Sequence, residues 1–316
     1  MKVLANDGVS QTGIDALEAA GFEVITTKVA QEQLVNYIND NSIDVVLVRS
    51  ATTVRKEVVD ACPSLKIIGR GGVGMDNIDV AYAREKGLHV INTPAASSES
   101  VAELVFAHLF NGVRFLYAAN REMPLEGDSK FKDLKKAYAK GVELRGKTLG
   151  VIGFGRIGQA TAKIALGCGM KVAAFDPFME KVTITVPFFD GQSVAFDIET
   201  ISKEDLLKQA DFVTLHVPAQ KEYVIGKTEI ALMKQGAGII NAARGGVIDE
   251  VALIEALNNN KIGFAGLDVF ENEPKPSVQV LMNPKVSLTP HIGAATGEAQ
   301  DRIGTELAQQ IISILK

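Results

Sequence analysis

LGVIGFGRIG, residues 149 to 158, is the stretch that decides the fold of this chain. The apolar run from Leu149 to Ile152 predicts a buried strand, and Gly153, Gly155 and Gly158 follow it in the spacing G-x-G-x-x-G. The first two glycines allow a tight turn with close backbone approach, and the third lets the following helix pack against the strand. N–H groups at the start of such a helix face an anion. The stretch therefore predicts a strand, turn and helix that hold the pyrophosphate of a dinucleotide.

A carboxylate stands where the next predicted strand ends. Asp176 lies 18 residues beyond Gly158, directly after the strand predicted at residues 171 to 175. A carboxylate at this position accepts hydrogen bonds from ribose hydroxyls and repels a 2′-phosphate. The predicted cofactor is therefore NAD rather than NADP. A purely structural glycine turn is the alternative, which the combination of strand, helix and acid disfavours.

Composition narrows the class of protein. The chain has 316 residues, a net charge of −5 and 47% hydrophobic residues, which favours two globular domains and gives no basic surface for nucleic acid. Cys62 and Cys168 lie far apart and form no metal-ligand spacing, as in a reducing compartment. We find no signal peptide at the start and no uninterrupted apolar stretch of the ~18 residues that a membrane helix needs. We expect a cytoplasmic protein that binds neither nucleic acid nor membrane, and no metal.

Short apolar runs alternate with amphipathic stretches on both sides of the quoted segment, a pattern typical of parallel sheets crossed over by helices. A first series ends at Thr93-Pro94, and residues 97 to 122 predict one long helix. Residues 182 to 196 depart from the helical rhythm, because β-formers alternate around Asp190-Gly191, and predict a hairpin.

An earlier glycine cluster, GRGGVG at residues 69 to 74, also follows a predicted strand, but no helix starts at it. A second dinucleotide site is therefore disfavoured. A backbone nest whose N–H groups hold a small carboxylate is the favoured interpretation, and a structural turn is the alternative.

Hydride transfer from a hydroxyl-bearing carbon needs a group that takes the hydroxyl proton, and histidine suits that work. Of the four histidines, His108 lies in an apolar helix, His216 ends a strand in LHVP and His89 starts a strand without polar neighbours. These three are interpreted as structural or lining residues. His291 differs, because it lies in the loop TPHIG, after a strand and before the last helix.

At these residues the sequence resembles the D-isomer-specific 2-hydroxyacid dehydrogenases. The motifs occur in order along nearly the whole chain: VRSATTV (48–54), IIGRGGVGMDNID (67–79), VINTP (90–94), GKTLGVIGFGRIG (146–158), NAARGGVIDE (241–250), GLDVFENEP (266–274) and LTPHIGAAT (288–296). The resemblance implies an α/β fold of two Rossmann-like, doubly wound parallel-sheet domains. A flavodoxin-like substrate domain spans 1–96 and 287–316, and the NAD-binding Rossmann domain spans 97–286.

The resemblance also implies three catalytic residues. Arg244 matches the arginine that clamps the substrate carboxylate, a task for a planar bidentate donor. His291 matches the acid/base, and Glu273 matches the acid that orients it. Further cofactor contacts are implied at Arg156, Ile157, His216, Pro218, Ala242, Asp268, Gly293 and Ala294.

On the substrate side, the resemblance places a carboxylate on the backbone of Gly72, Val73 and Gly74. Arg49, Arg70 and Arg121 are candidates for meeting a phosphate. We expect a homodimer, and we expect the chain to end without the C-terminal regulatory extension of longer family members.

The implied reaction is the NAD-dependent oxidation of 3-phosphoglycerate to 3-phosphohydroxypyruvate, which opens serine synthesis. The close alternative is another 2-hydroxyacid dehydrogenase, acting on glyoxylate, hydroxypyruvate or D-lactate. An alternative of another class is a non-enzymatic NAD-sensing corepressor, which the intact Arg244, Glu273 and His291 disfavour.

Overall fold

The computed structural model describes all 316 residues and divides into two compact units. Unit 1 comprises Met1–Ser100 and Ala294–Lys316, and unit 2 comprises Val101–Gly293. None of the helices combines the length and the apolar character needed to cross a membrane.

Unit 1 is a parallel five-stranded sheet flanked by helices. Its strands are β1 (Lys2–Ala5), β2 (Glu23–Ile25), β3 (Val45–Val48), β4 (Ile67–Arg70) and β5 (His89–Asn92). Its helices are α1 (Gln11–Ala19), α2 (Leu34–Asn41), α3 (Lys56–Ala61), α4 (Val80–Glu85) and α13 (Gly297–Leu315). The strand order is β2-β1-β3-β4-β5, all parallel, which is the flavodoxin-like order.

Each face of this sheet carries its own core. Val46 and Ile68 pack on one face, and Val45 and Ile67 pack on the other, against α1 and α13. Helices α1 and α13 meet closely at Gly13, where a Cβ atom would lie 2.8 Å from the Cα of Gly304. The buried strands read as continuous apolar runs because both faces are covered.

The loops that follow β1 and β3 meet at the topological switch point of unit 1, where the chain turns from one side of β1 to the other. Asp7 fills this place with its own carboxylate: it accepts the backbone N–H of Arg49 at 2.7 Å and that of Thr52 at 3.0 Å. The Thr52 hydroxyl donates to the same carboxylate at 2.7 Å.

Unit 2 contains a parallel six-stranded sheet and a separate hairpin. Its strands are β6 (Thr148–Ile152), β7 (Lys171–Phe175), β8 (Lys181–Pro187), β9 (Ser193–Glu199), β10 (Phe212–Leu215), β11 (Ala237–Asn241), β12 (Ile262–Leu267) and β13 (Val286–Leu288). Its helices are α5 (Ser98–Arg114, beginning at the boundary between the units), α6 (Leu116–Glu126), α7 (Phe131–Ala137), α8 (Arg156–Gly167), α9 (Lys203–Gln209), α10 (Lys227–Leu232), α11 (Glu250–Asn258) and α12 (Val278–Leu281). The sheet order is β13-β12-β11-β10-β6-β7, so the switch point lies between β6 and β10.

The predicted hairpin is present. Strands β8 and β9 pair antiparallel, and Gly191 closes the turn with φ of +85° while Asp190 accepts the N–H of Gln192. Ile184 is buried in the core beside α8. The hairpin therefore covers the sheet edge formed by β7.

The segment predicted as one long helix at residues 97 to 122 is two helices, α5 and α6. Phe115 breaks it in the left-handed conformation, with φ of +55°, and the Asn111 side chain accepts the N–H of Tyr117 at 2.7 Å. The periodicity of apolar residues continues across the break, which is why the sequence suggested a single helix.

The boundary between the units also lies later than the predicted 286/287 division. Strand β13 belongs to the sheet of unit 2, since it pairs with β12. The loop after β13 is held by the carboxylate of Asp268, which accepts the N–H groups of Ile292 and Gly293, each at 2.8 Å. His291 is consequently a residue of unit 2, and the two units divide after Gly293.

Candidate active site

The glycine-rich turn links β6 to α8 as the motif predicts. Gly153 adopts φ of +88°, and a Cβ atom there would lie 2.5 Å from the carbonyl oxygen of His216. A Cβ at Gly158 would collide with the carbonyl oxygen of Gly153. The space around Gly155 is open, because a Cβ atom there would meet no other atom within 4 Å beyond its chain neighbours. Packing thus requires glycine at positions 153 and 158, and Gly155 leaves open space for a bound group.

The N-terminus of α8 fits a pyrophosphate. Gly155 is its N-cap residue, and no side chain caps the helix, so the first N–H groups are left for an anion. Arg156 and Ile157 are the first two residues of this helix. The donor set matches the phosphate groups of a dinucleotide, and the residues present fit NAD.

Asp176, which follows β7, is hydrogen-bonded to the glycine turn. One carboxylate oxygen accepts the N–H of Phe154 at 2.8 Å, and the other accepts the N–H of Phe178 at 2.9 Å. The carboxylate is therefore fixed beside the glycine turn, where the sequence predicted a ribose contact.

His216 and Pro218 follow β10 on the other side of the switch point. Burial of the His216 ring lowers its pKa to about 3, so the imidazole is neutral. Its Nε2 lies 3.1 Å from the hydroxyl of Thr214, while the buried Nδ1 has no hydrogen-bond partner. A neutral imidazole with one unpaired ring nitrogen therefore belongs to the residue whose backbone adjoins the glycine turn.

Arg244 lies in a tight loop after β11. The Asn241 side chain ties the loop together: its Nδ2 donates to the carbonyl of Arg244 at 2.8 Å, and its Oδ1 accepts the N–H of Ala243 at 3.0 Å. A guanidinium N–H of Arg244 donates to the carbonyl of Ala243 at 2.6 Å. Ala242, a predicted nicotinamide neighbour, is buried in the same loop.

The loop of Arg244 packs against the loop of Glu273. A Cβ atom at Gly245 would collide with the carbonyl oxygen of Phe270, so only glycine permits this approach. The two loops follow the neighbouring strands β11 and β12.

Glu273 and His291 form a hydrogen-bonded pair. Nδ1 of His291 lies 2.9 Å from Oε2 of Glu273, and Oε1 of Glu273 accepts the N–H of Phe270 at 3.0 Å. His291 adopts the left-handed conformation, with φ of +57°, which is uncommon for a residue other than glycine. Such outliers cluster at functional sites.

Asp268 holds the loop that carries His291. Besides the N–H groups of Ile292 and Gly293, it accepts the hydroxyl of Thr289 at 2.6 Å. Thr289 was not among the predicted residues; its place between a strand and His291 was the available signal.

The remaining predicted residues belong to unit 1. Gly72 has φ of +146°, its carbonyl accepts the N–H of Thr93, and the carbonyl of Val73 accepts the side chain of Asn92. The N–H groups of Val73 and Gly74 donate to no acceptor within unit 1. Unit 1 also carries Arg49, Arg70 and Ala294.

Comparisons with known proteins give a family match. The model of the D-isomer specific 2-hydroxyacid dehydrogenase NAD binding domain matches residues 106–293, nearly the whole of unit 2.

Two relatives and one solved structure span the chain. D-3-phosphoglycerate dehydrogenase of Methanocaldococcus jannaschii is 44% identical over 100% of this chain and 58% of its own length. Hydroxypyruvate reductase of Thermotoga maritima is 44% identical over 93% of this chain and 91% of its own length. The structure of an acyclic imino acid reductase in complex with NADPH and D-Arg has a TM-score of 0.83 and 30% identity, covering 100% of this chain and 97% of that one.

The chain spans little more than half the length of the first of these relatives. The two relatives carry different activities at the same identity, so overall similarity does not decide between their substrates.

Proposed function

We propose a reaction for this chain from one premise: the chain belongs to the D-isomer specific 2-hydroxyacid dehydrogenase family. The reaction is the NAD-dependent oxidation of D-3-phosphoglycerate to 3-phosphohydroxypyruvate, a step that would feed serine synthesis. The observation that carries the proposal is the hydrogen bond between His291 and Glu273 on a loop held in an uncommon backbone conformation.

The hydrogen bond between His291 and Glu273 indicates which ring nitrogen of His291 carries the proton. A carboxylate only accepts hydrogen bonds, so Nδ1 of His291 carries the ring proton that faces Glu273. Nε2 is then the atom left to accept a proton. In the oxidation, Nε2 takes the proton of the 2-hydroxyl group, and Glu273 stabilises the imidazolium that results.

Arg244 is proposed to hold the substrate carboxylate. A guanidinium remains charged and offers a planar pair of donors that matches a carboxylate. The N–H groups of Val73 and Gly74 in unit 1 are proposed, as the resemblance implies, to be donors to a carboxylate. The bound substrate would thus present its C2 hydroxyl to His291.

NAD would be held by the glycine turn, the start of α8 and Asp176, and when bound it supplies the acceptor for the hydride that leaves C2. The carbinol carbon loses a hydride and its hydroxyl loses a proton, so the product is a ketone and the electrons balance. Asp176 is proposed to select NAD over NADP by repelling a 2′-phosphate.

Hydroxypyruvate reduction is the second candidate. It is supported by the relative from Thermotoga maritima, which is 44% identical over 93% of this chain. The same residues would serve, with His291 donating its proton to the ketone. A phosphate contact from Arg49 or Arg70 is what would separate the two.

A substrate panel tests the proposal. We expect NADH formation, followed by absorbance, with a kcat/KM for D-3-phosphoglycerate at least tenfold above D-glycerate, because an ion pair with phosphate contributes on the order of 1.4 kcal/mol or more. Arg49→Gln and Arg70→Gln should lower that preference. Preference for hydroxypyruvate with NADH would establish the second candidate, and NADH binding without turnover on any 2-hydroxy acid would indicate a sensor.

We also propose that the chain is a cytoplasmic homodimer. Both cysteines are free thiols, as expected in a reducing compartment. Apolar side chains are exposed on α5, α6 and α7: Phe110, Leu116, Tyr117, Met123, Leu125 and Phe131. Exposed apolar surface of this kind marks protein interfaces.

Sedimentation tests the dimer. Leu125 is 79% exposed and Val278, on α12, is 71% exposed, so the substitutions Leu125→Asp and Val278→Asp disturb two exposed apolar positions equally. We expect Leu125→Asp to yield monomers and Val278→Asp to behave as the unmodified protein. A monomeric unmodified protein would refute the dimer.

A further inference from the structure

A buried histidine lies beneath the loop of His291. His108, on α5, is 2% exposed, and both of its ring nitrogens have partners. Nδ1 lies 2.7 Å from the hydroxyl of Ser287, and Nε2 lies 3.0 Å from the hydroxyl of Thr289. The two hydroxyls flank Leu288 at the end of β13, so one imidazole holds both ends of that turn of chain.

The direction of each hydrogen bond around Thr289 follows from its other partner. The Thr289 hydroxyl donates its single proton to Asp268 at 2.6 Å, since a carboxylate only accepts. Thr289 must therefore accept from His108, and Nε2 of His108 carries the ring proton.

The opposite side of the ring leads to the same tautomer. The Asn111 side-chain oxygen accepts the N–H of Tyr117, which leaves its nitrogen to donate to Ser287 at 2.6 Å. The Ser287 hydroxyl is then free to donate to Nδ1 of His108. Burial also lowers the pKa of His108, so the ring is neutral with a defined tautomer.

The chain of hydrogen bonds ends on the active-site loop. Asp268 receives Thr289 and Ile292 on one oxygen and Gly293 on the other. His291 lies between these anchor points. The Asp268 carboxylate thus holds the backbone that follows His291, and the hydroxyl of Thr289, two residues before His291, orients that carboxylate.

Gly266 leaves the space that the side chain of His108 occupies. Gly266 lies on β12, and a Cβ atom there would come within 2.6 Å of the Cβ and 2.9 Å of the Cγ of His108. Only glycine lets α5 approach the strand closely enough for the ring to reach the two hydroxyls. The position of His108 is therefore supported by a second feature of the sequence.

We propose that His108 is a positioning residue for His291, acting through Thr289 and Asp268. The neutral ring donates to Thr289, Thr289 donates to Asp268, and the carboxylate fixes the two peptide N–H groups that follow His291. This role rests on the proposed function for its effect on turnover, but its structural part does not.

Hydrogen exchange and NMR test the structural part without any substrate. In His108→Leu and in Thr289→Val, which keeps the shape of the side chain, we expect faster exchange of the amides of Ile292 and Gly293. Thr289→Ser restores the hydroxyl and should restore protection. In ¹⁵N-histidine-labelled protein, the signal lost in His108→Leu should be that of a neutral Nε2–H ring.

Kinetics test the catalytic part. His108→Leu and Thr289→Val should each lower kcat on the order of tenfold, as the loss of a hydrogen bond to a charged group predicts. The double variant should lose no more than either single variant, since both act through the same carboxylate. Thr289→Ser should recover kcat, and His89→Leu, at an exposed position, is the matched control.

The outcomes separate the positioning role of His108 from the proposed function of the chain. Unchanged amide protection in Thr289→Val, an Nδ1–H tautomer, or additive losses in the double variant would overturn the positioning role. If the unmodified protein turns over no 2-hydroxy acid, the proposed function fails while the exchange and NMR results still decide the hydrogen-bond chain.

Discussion

His291 and Glu273 are joined by a hydrogen bond of 2.9 Å, and the second oxygen of that carboxylate is occupied by the backbone N–H of Phe270. The carboxylate is therefore anchored to its own turn before it orients the imidazole. One oxygen is bound to the backbone after β12 and the other to the imidazole, which is the arrangement that the proposed acid/base role needs.

Replacing Glu273 by glutamine removes the charge and keeps a side chain of the same length. Because the resulting imidazolium is no longer stabilised, kcat should fall on the order of 10- to 100-fold. Steady-state rates with saturating NAD measure the loss. Glu273→Asp, which keeps the charge, should be less impaired than Glu273→Gln; the reverse order would refute the charge argument.

Replacing His291 by asparagine removes the proton acceptor and keeps a residue that tolerates positive φ. We expect kcat to fall on the order of 100-fold or more, as for loss of a general base, with the dissociation constant for NADH nearly unchanged. Fluorescence titration with NADH gives that constant. Equal losses in turnover and in NADH affinity would contradict the assigned role.

Gly158→Ala should abolish NADH binding and destabilise the fold, because the added methyl group would meet the backbone carbonyl of Gly153. Gly167→Ala is the matched control, since no atom lies within 4 Å of a Cβ there. Titration with NADH and urea unfolding measure the two effects. Normal cofactor binding by Gly158→Ala would show that the turn does not hold the pyrophosphate.

Asp176→Ser should shift cofactor preference from NAD toward NADP, because the carboxylate that repels a 2′-phosphate is gone. The ratio of kcat/KM values for the two cofactors measures the shift, for which we expect about tenfold or more. An unchanged ratio would place the selectivity elsewhere.

Stability should fall as the solution is acidified from pH 7 to pH 5. Burial lowers the pKa of His216 to about 3 and lowers that of His108, so the unfolded chain binds protons below about pH 6.5 that the folded chain does not. The free energy of unfolding should drop by up to about 2 kcal/mol for His216 over this interval, and the lowered pKa of His108 adds to the drop. In His216→Gln the drop in urea titrations should be smaller, and in His89→Gln it should match the unmodified protein.

The local sequence pattern predicts much of the fold. The strand, turn and helix around Gly153 and the hairpin at Asp190-Gly191 are confirmed, because each depends on residues that are neighbours in sequence. The alternating pattern likewise predicted two parallel sheets.

What local pattern could not predict depends on contacts between distant residues. The break at Phe115 is stabilised by the side chain of Asn111, and nothing in the periodicity marks it. The boundary after Gly293 depends on the carboxylate of Asp268, 25 residues away. His108 looked like a structural histidine because its partner Ser287 lies 179 residues further along the chain.

The carboxylate of Asp7 affects how many NADH molecules each chain can bind. A doubly wound sheet offers a crevice for a nucleotide at its switch point, and this chain contains two such sheets. In unit 1 the carboxylate of Asp7 accepts the N–H groups of Arg49 and Thr52 there, so a nucleotide phosphate on the same donors would meet negative charge. Titration should therefore count a single NADH per polypeptide, even though the architecture is present twice.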